Sequence, residues 1–189
     1  MAWTVLSHAA VTNATTATIT FSSIDQNYQH LAIFGSGASN GRSSTQYEYD
    51  YVNVQFNNDT SSNYTGEWGG QLASGYFSGS GYYNQDGMAI GNLIQYGPAG
   101  TTSDNFSSYE AYVYCYQENW ASAGAYAHPM FYSNTGVTAD DTSDYWGSAQ
   151  MYGLCKGVTS GVTEIDMTPV NGTYWVQGTI MTLYGIEGV

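Results

Sequence analysis

The sequence predicts an all-β protein, an antiparallel β-sandwich or barrel of about nine or ten strands. Three observations carry this expectation. Apolar residues alternate at period two in short runs. Clusters of Gly, Asn, Ser and Asp bound those runs. No amphipathic stretch of helix length separates them, which sets aside βαβ units. Composition points the same way. The chain holds 23 glycines, 20 serines, 20 threonines, 13 asparagines and 19 tyrosines, but only six leucines. Strand and turn formers therefore outweigh strong helix formers.

In chain order, Ala17 to Phe21 places Ile19 and Phe21 on one face. His30 to Phe34 reads as a short apolar strand, with Gly35-Ser36-Gly37 as the turn that ends it. Across Tyr47 to Phe56, Tyr47, Tyr49 and Tyr51 share one face, then Val52, Val54 and Phe56 take the other. That phase switch predicts a bulge or bend near Tyr51. The glycine-rich stretch from Gly66 to Gly87 predicts loops and ragged strands. Met88 to Gln95 is a further strand, stopped by Gly97-Pro98.

Ser108 to Gln117 is the clearest strand: Tyr109, Ala111, Val113 and Cys115 face one way, and Glu110, Tyr112, Tyr114 and Tyr116 the other. Tyr126 to Tyr132, Trp146 to Leu154, Val162 to Met167 and Thr179 to Ile186 complete the set. No repeat or linker divides the chain, so residues 1–189 form one domain. Two long excursions, 57–87 and 117–146, are the places where a sandwich would carry function.

Charge excludes whole classes of function. Two basic residues, Arg42 and Lys156, stand against fifteen acidic ones, giving a formal net charge of -13. Nucleic-acid binding needs lysines and arginines to displace counterions from phosphates, so no nucleic-acid partner is expected. Attachment to an anionic membrane surface fails for the same reason. No apolar run approaches the ~20 residues of a membrane-spanning helix. The opening residues lack the basic and apolar regions of a secretory signal.

Several blocks carry a resemblance. Trp3-Thr4-Val5-Leu6-Ser7 is followed by Ile19-Thr20-Phe21-Ser22-Ser23-Ile24 and Tyr28-Gln29-His30-Leu31-Ala32-Ile33. Val54-Gln55-Phe56-Asn57-Asn58-Asp59-Thr60 precedes Asn63-Tyr64. Asn105 to Val113 forms a third block, and Gly178 to Ile186 closes the chain. In this order the set resembles small virion structural proteins of tailed cyanobacterial phages, of decoration or fibre type. The resemblance implies a jelly-roll sandwich, a homotrimer and no catalytic residues. Read without it, Asn58, Asp59 and Asn63 serve one tight turn, Tyr64 is a core anchor, and Gly185 marks a bulge or a close packing point.

No catalytic or metal-binding set stands out, and no cofactor is expected. His8, His30 and His128 have no second ligand at a metal spacing. Glu48, Asp50, Glu110, Glu118, Glu164 and Asp166 are the carboxylates from which a glycoside-hydrolase pair would come. Asp140, Asp141 and Asp144, or Asp59 with Asn57 and Asn58, are the candidates for a surface calcium site, with a solvated loop or turn as the favoured alternative. Cys115 and Cys155 read as buried free thiols, with a disulfide as the alternative.

The candidate interface residues are the aromatics in or beside the two excursions, Trp68, Tyr76, Tyr82, Tyr83, Trp120, Tyr126, Tyr145 and Trp146, with packing over the sandwich ends and stacking on sugar rings as the alternatives. The expectation is a non-enzymatic capsid decoration or cement protein on the outer surface of the virion. It would be made in the host cytoplasm and would bind the major capsid protein. The alternative is a tail-fibre or receptor-binding subunit that recognises host surface polysaccharide.

Overall fold

The computed structural model describes residues 2–41, 49–72, 75–88, 93–96, 106–117, 128–137, 147–158 and 160–188, without the side chains of 72–84 and 93–96. The described residues form twelve strands: β1 (Trp3–Ala10), β2 (Ile19–Ser22), β3 (His30–Ser39), β4 (Tyr49–Phe56), β5 (Tyr64–Leu72), β6 (Gly75–Gln85), β7 (Leu93–Tyr96), β8 (Ser107–Tyr114), β9 (Met130–Val137), β10 (Gly147–Cys155), β11 (Glu164–Pro169) and β12 (Ile180–Ile186). The fold is an all-β sandwich. Its large sheet runs β1-β12-β3-β8-β9-β10-β5-β6, with every pair antiparallel. Its small sheet runs β2-β11-β4, also antiparallel. The short β7 joins the two, antiparallel to β4 and parallel to β3. That parallel pair departs from the purely antiparallel expectation.

The expected strands fall where alternation is strict. β8 buries Ser107, Tyr109, Ala111 and Val113 and turns Tyr112 and Tyr114 outward, as its pattern requires. Other boundaries move. β3 runs on through Gly35-Ser36-Gly37, so these residues are strand and not turn. Gly35 is needed there for closeness: a Cβ would lie 2.2 Å from the Ile180 carbonyl oxygen. The stretch expected as loops and ragged strands is the hairpin of β5 and β6, whose pairing slips register between Tyr64 and Gly66 and again between Gly66 and Trp68. β1 was not expected as a separate strand; it pairs with β12 and buries little, so its sequence carries no clean alternation. In β4, Tyr49 and Asp50 are buried in succession, and the strand changes partner from β7 to β11 between Tyr51 and Val52. The phase switch in the sequence marks that change.

The core lies between the sheets. Leu31, Ile33, Ala111, Val113, Phe131, Met151, Met181 and Leu183 from the large sheet meet Phe21, Val52, Val54, Phe56, Ile165 and Met167 from the small one. Each large apolar side chain so buried contributes about 1.5–3 kcal/mol, and the core outweighs any single polar contact. Trp175 closes one end, fully buried, with its indole N–H donating to the Met167 carbonyl at 3.1 Å. Tyr64 is a core anchor: it is fully buried, and its hydroxyl accepts the Phe56 amide at 2.8 Å. Gly185 is a close packing point, since a Cβ there would sit 2.3 Å from the Tyr28 ring. Cys115 and Cys155 are unpaired, and burial pushes the Cys155 thiol up, which keeps it protonated.

One buried charge fastens the two sheets. Asp50 on β4 has no exposed surface. Its Oδ1 accepts the amide of Tyr51 and both the amide and the side-chain nitrogen of Asn171, at 2.7–2.9 Å. Its Oδ2 accepts the Ser39 hydroxyl at 2.6 Å and the Gly172 amide at 2.9 Å. β3, β4 and the turn after β11 thus meet at one carboxylate. Beside it, Asn40 Oδ1 accepts the amides of Thr173 and Tyr174. Removing the carboxylate leaves buried donors unpaired at about 1–3 kcal/mol each. Asp50→Ala is therefore expected to lose on the order of 4 kcal/mol or more. Ser39→Ala, which removes one of the five bonds, should lose about 1.5–3 kcal/mol. Urea unfolding monitored by tryptophan fluorescence checks both, and an unchanged midpoint for Asp50→Ala would refute the fastening role.

Candidate functional site

The large sheet turns one face to the core and the other outward, and the outward face is aromatic. Register puts Val5, Tyr184, Ala32, Tyr112, Tyr132, Tyr152 and Glu67 in one cross-strand row over seven strands. Opposed residues in such a row have Cβ atoms about 4.5–5.5 Å apart, so their side chains touch. Tyr112 and Tyr132 have ring centroids 6.2 Å apart with planes within 23°. Tyr132 and Tyr152 are 4.9 Å apart at 39°. Tyr114 lies 6.1 Å from Tyr112 with planes within 14°. At the β1 side, Trp3 packs against Phe34 at 5.6 Å and Tyr184 at 6.0 Å, and edge-on to Tyr112 at 6.4 Å. The aromatic surface is therefore continuous from β1 to β10.

It is also exposed. Tyr152 and Val5 keep 58% of their surface, Met130 47% and Trp3 44%. Scattered exposed apolar residues need no explanation, but a contiguous band of them marks a contact surface.

The next row along the strands is polar. Phe34, Glu110, Asn134 and Gln150 lie side by side in register. Beyond them come Ser36, Ser108, Gly136 and Ser148. An open hollow of about 470 Å³ follows these rows, lined by Phe34, Glu110, Asn134, Ser108 and Ser148 among others. A second hollow of about 300 Å³ lies at the other side of the tyrosines, between Met130, Tyr152, Leu154, Thr65 and Glu67. The two rows are coupled: Tyr112 donates its hydroxyl to Glu110 Oε1 at 2.7 Å. Burial and the Glu110 carboxylate together push the Tyr112 phenol up to about 12. Burial, then the neighbouring Tyr152, Glu110 and Tyr114, also raise Tyr132. These phenols stay protonated as donors at neutral pH. His30 packs edge-on to Tyr114 at 5.0 Å, and burial lowers its basicity.

Of the eight expected interface residues, Trp68 alone has a described side chain. Trp68 belongs to the inward phase of β5, opposite Met151, and packs against the core. It is a core-flanking residue and not part of the outer face. Tyr76, Tyr82 and Tyr83 fall on β6, whose side chains are outside the described residues, as are Trp120, Tyr126, Tyr145 and Trp146. The outward tyrosines carry no mark of function in the sequence, because a strand residue reads by default as framework. The available signal was the tyrosine in the polar phase of three successive strands, at 112, 132 and 152.

The chemistry weighed on the sequence finds no assembled centre among the described residues. Asp50 is committed to its five hydrogen bonds. Asp166 is nearly buried and accepts the Thr20 hydroxyl at 2.6 Å. Glu164 accepts the Asn58 amide. Glu110 sits on the opposite sheet from these, while Glu48 and Glu118 lie outside the described residues.

Gly37-Ala38-Ser39-Asn40-Gly41 does match the G-x-S-x-G spacing of a nucleophile elbow. Ser39, however, is fully buried and donates to Asp50, with no histidine bonded to it. The turn reading of Asn57 to Asn63 holds. Asn57 and Asn58 take left-handed φ of 53° and 56°. Asn57 Oδ1 accepts the Thr163 amide, and Asp59 accepts the Ser61 amide and the Asn63 side chain. Among the described residues no three His, Cys, Asp or Glu side chains are grouped to hold a metal. Asp140, Asp141 and Asp144 lie outside them.

Comparison with protein-family models, with curated proteins and with solved structures finds no match to this chain.

A surface kept for contact should be dispensable for folding. Tyr152→Ala and Tyr132→Ala are expected to lose no more than about 1 kcal/mol each, the scale of a cross-strand pair. Phe131→Ala, one residue away but in the core phase, should lose about 3–5 kcal/mol. Chemical denaturation of the three variants checks the contrast, and equal losses at 131 and 152 would contradict it.

Proposed function

We propose that the protein is a non-catalytic virion structural protein of decoration or cement type, which attaches to the outer surface of a phage head through the aromatic face of its large sheet. The observation that supports this reading most strongly is the face itself. It is a broad, continuous band of Trp, Tyr, Phe, Val and Met on a single hydrogen-bonded sheet. Binding energy concentrates on such aromatic anchors, and a rigid sheet loses little entropy on docking. The open hollows on either side suit a broad partner better than an enclosed small molecule.

The partner in this reading is the major capsid protein, and the resemblance adds a homotrimer. Many such contacts repeated over a shell reinforce one another through avidity. The charge of -13 keeps decorated particles soluble and mutually repelling.

One observation favours the second reading, a fibre or receptor-binding subunit. The row of Glu110, Asn134 and Gln150 beside stacked tyrosines offers hydrogen bonds next to ring faces, which is the chemistry of a polysaccharide site. Immunogold labelling of intact particles with antibody to this chain separates the two. Gold over the whole head is the expected result. Gold confined to the tail or its fibres would refute the decoration reading.

A further inference from the structure

The aromatic face has a definite chemical preference. Its described charged groups are carboxylates. Glu110 stands beside Tyr112, and Glu67 ends the tyrosine row opposite Tyr152. Of the two basic residues, Arg42 lies outside the described residues and Lys156 follows the end of β10.

Tyrosine rings present a negative face to a cation, and a guanidinium can lie flat on such a ring while its edge meets a carboxylate. Tyr112, Tyr132 and Tyr152 provide three such rings at spacings of 6.2 and 4.9 Å, with Glu110 alongside. Among the described residues, the Tyr112 hydroxyl is the one hydrogen-bond partner of that carboxylate, and it holds Oε1. This leaves Oε2 for a ligand donor. An anionic partner would meet two carboxylates and a net charge of -13. A neutral one would leave both carboxylates unpaired under the contact.

We propose that the tyrosine row of β8, β9 and β10 binds an arginine-bearing segment of a partner protein, with guanidinium groups stacked on Tyr112, Tyr132 and Tyr152 and paired to Glu110 and Glu67. The inference rests on the outer sheet face being the contact surface. It adds what the partner must bring to that face.

The test uses the full chain, isotopically labelled, and two short probe peptides. One alternates arginine with glycine; the other carries citrulline at every arginine, which keeps the shape and removes the charge. The arginine peptide should shift the NMR signals of Tyr112, Tyr132 and Tyr152. The citrulline peptide should bind about tenfold or more weaker. E110Q and Y152A, both on the exposed face, should each weaken the arginine peptide by about three- to tenfold.

Equal binding of the two peptides overturns the proposal. So do shifts at other residues, or an affinity unchanged in both variants. Shifts at the same tyrosines with a neutral β-linked oligosaccharide, but not with the arginine peptide, overturn it in favour of a glycan. The location of gold on the particle does not depend on these titrations, so the decoration reading and this one fail separately.

Discussion

The sandwich is organised around a buried carboxylate. A charge without solvent is stable only when its lone pairs are filled, and Asp50 accepts five hydrogen bonds from three separate segments. This sets where β3 ends, where β4 begins, and how the chain turns after β11. The turn then delivers Trp175 into the core and leads to β12, which lies between β1 and β3, one strand in from the edge of the large sheet. Apolar burial supplies most of the stability, but it is non-directional. The carboxylate supplies direction, because its bonds are met in one arrangement of the two sheets.

With the inner face fixed, the outer face follows from period two. A side chain that points into the core from this sheet commits its strand neighbours to the opposite face. In β8, β9 and β10 those neighbours are tyrosines in register, so a row of rings forms without any dedicated loop. The sheet holds the rings at set spacings. Their hydroxyls and the adjacent Glu110, Asn134 and Gln150 keep the surface compatible with water. A broad exposed aromatic band would otherwise promote self-association, and the strongly acidic chain opposes that by repulsion.

Much of the framework was legible. β8 is legible from Tyr109 to Tyr114, where alternation is strict. Beyond it the expectation fails, because Cys115 takes a left-handed φ of 56° and Tyr116 turns into the core instead of outward. Tyr64 and Gly185 have the roles expected of them. The hairpin of β5 and β6 is legible only as ragged strands, because glycines that permit close strands look the same as glycines that permit loops. Trp68 follows the packing alternative: once its segment is a strand, phase sends it inward against the core. The candidate site was the least legible part. Tyr112, Tyr132 and Tyr152 are twenty residues apart in sequence and gain meaning only when three strands align. Asp50 looked like one more carboxylate in an acidic chain, since its donors come from residues 39, 51, 171 and 172.

The claim on which the account turns is that the outer face of the large sheet is covered in the assembled particle. Hydroxyl-radical footprinting with mass spectrometry reads this directly, comparing free chain with intact virions. If the face is so covered, Trp3, Tyr132 and Tyr152 should be oxidised readily in the free chain and protected on the particle. Exposed positions beside the small sheet, such as Val170 after β11, would be altered little. Equal oxidation of the three aromatics in both states, with protection on the small sheet instead, would contradict it.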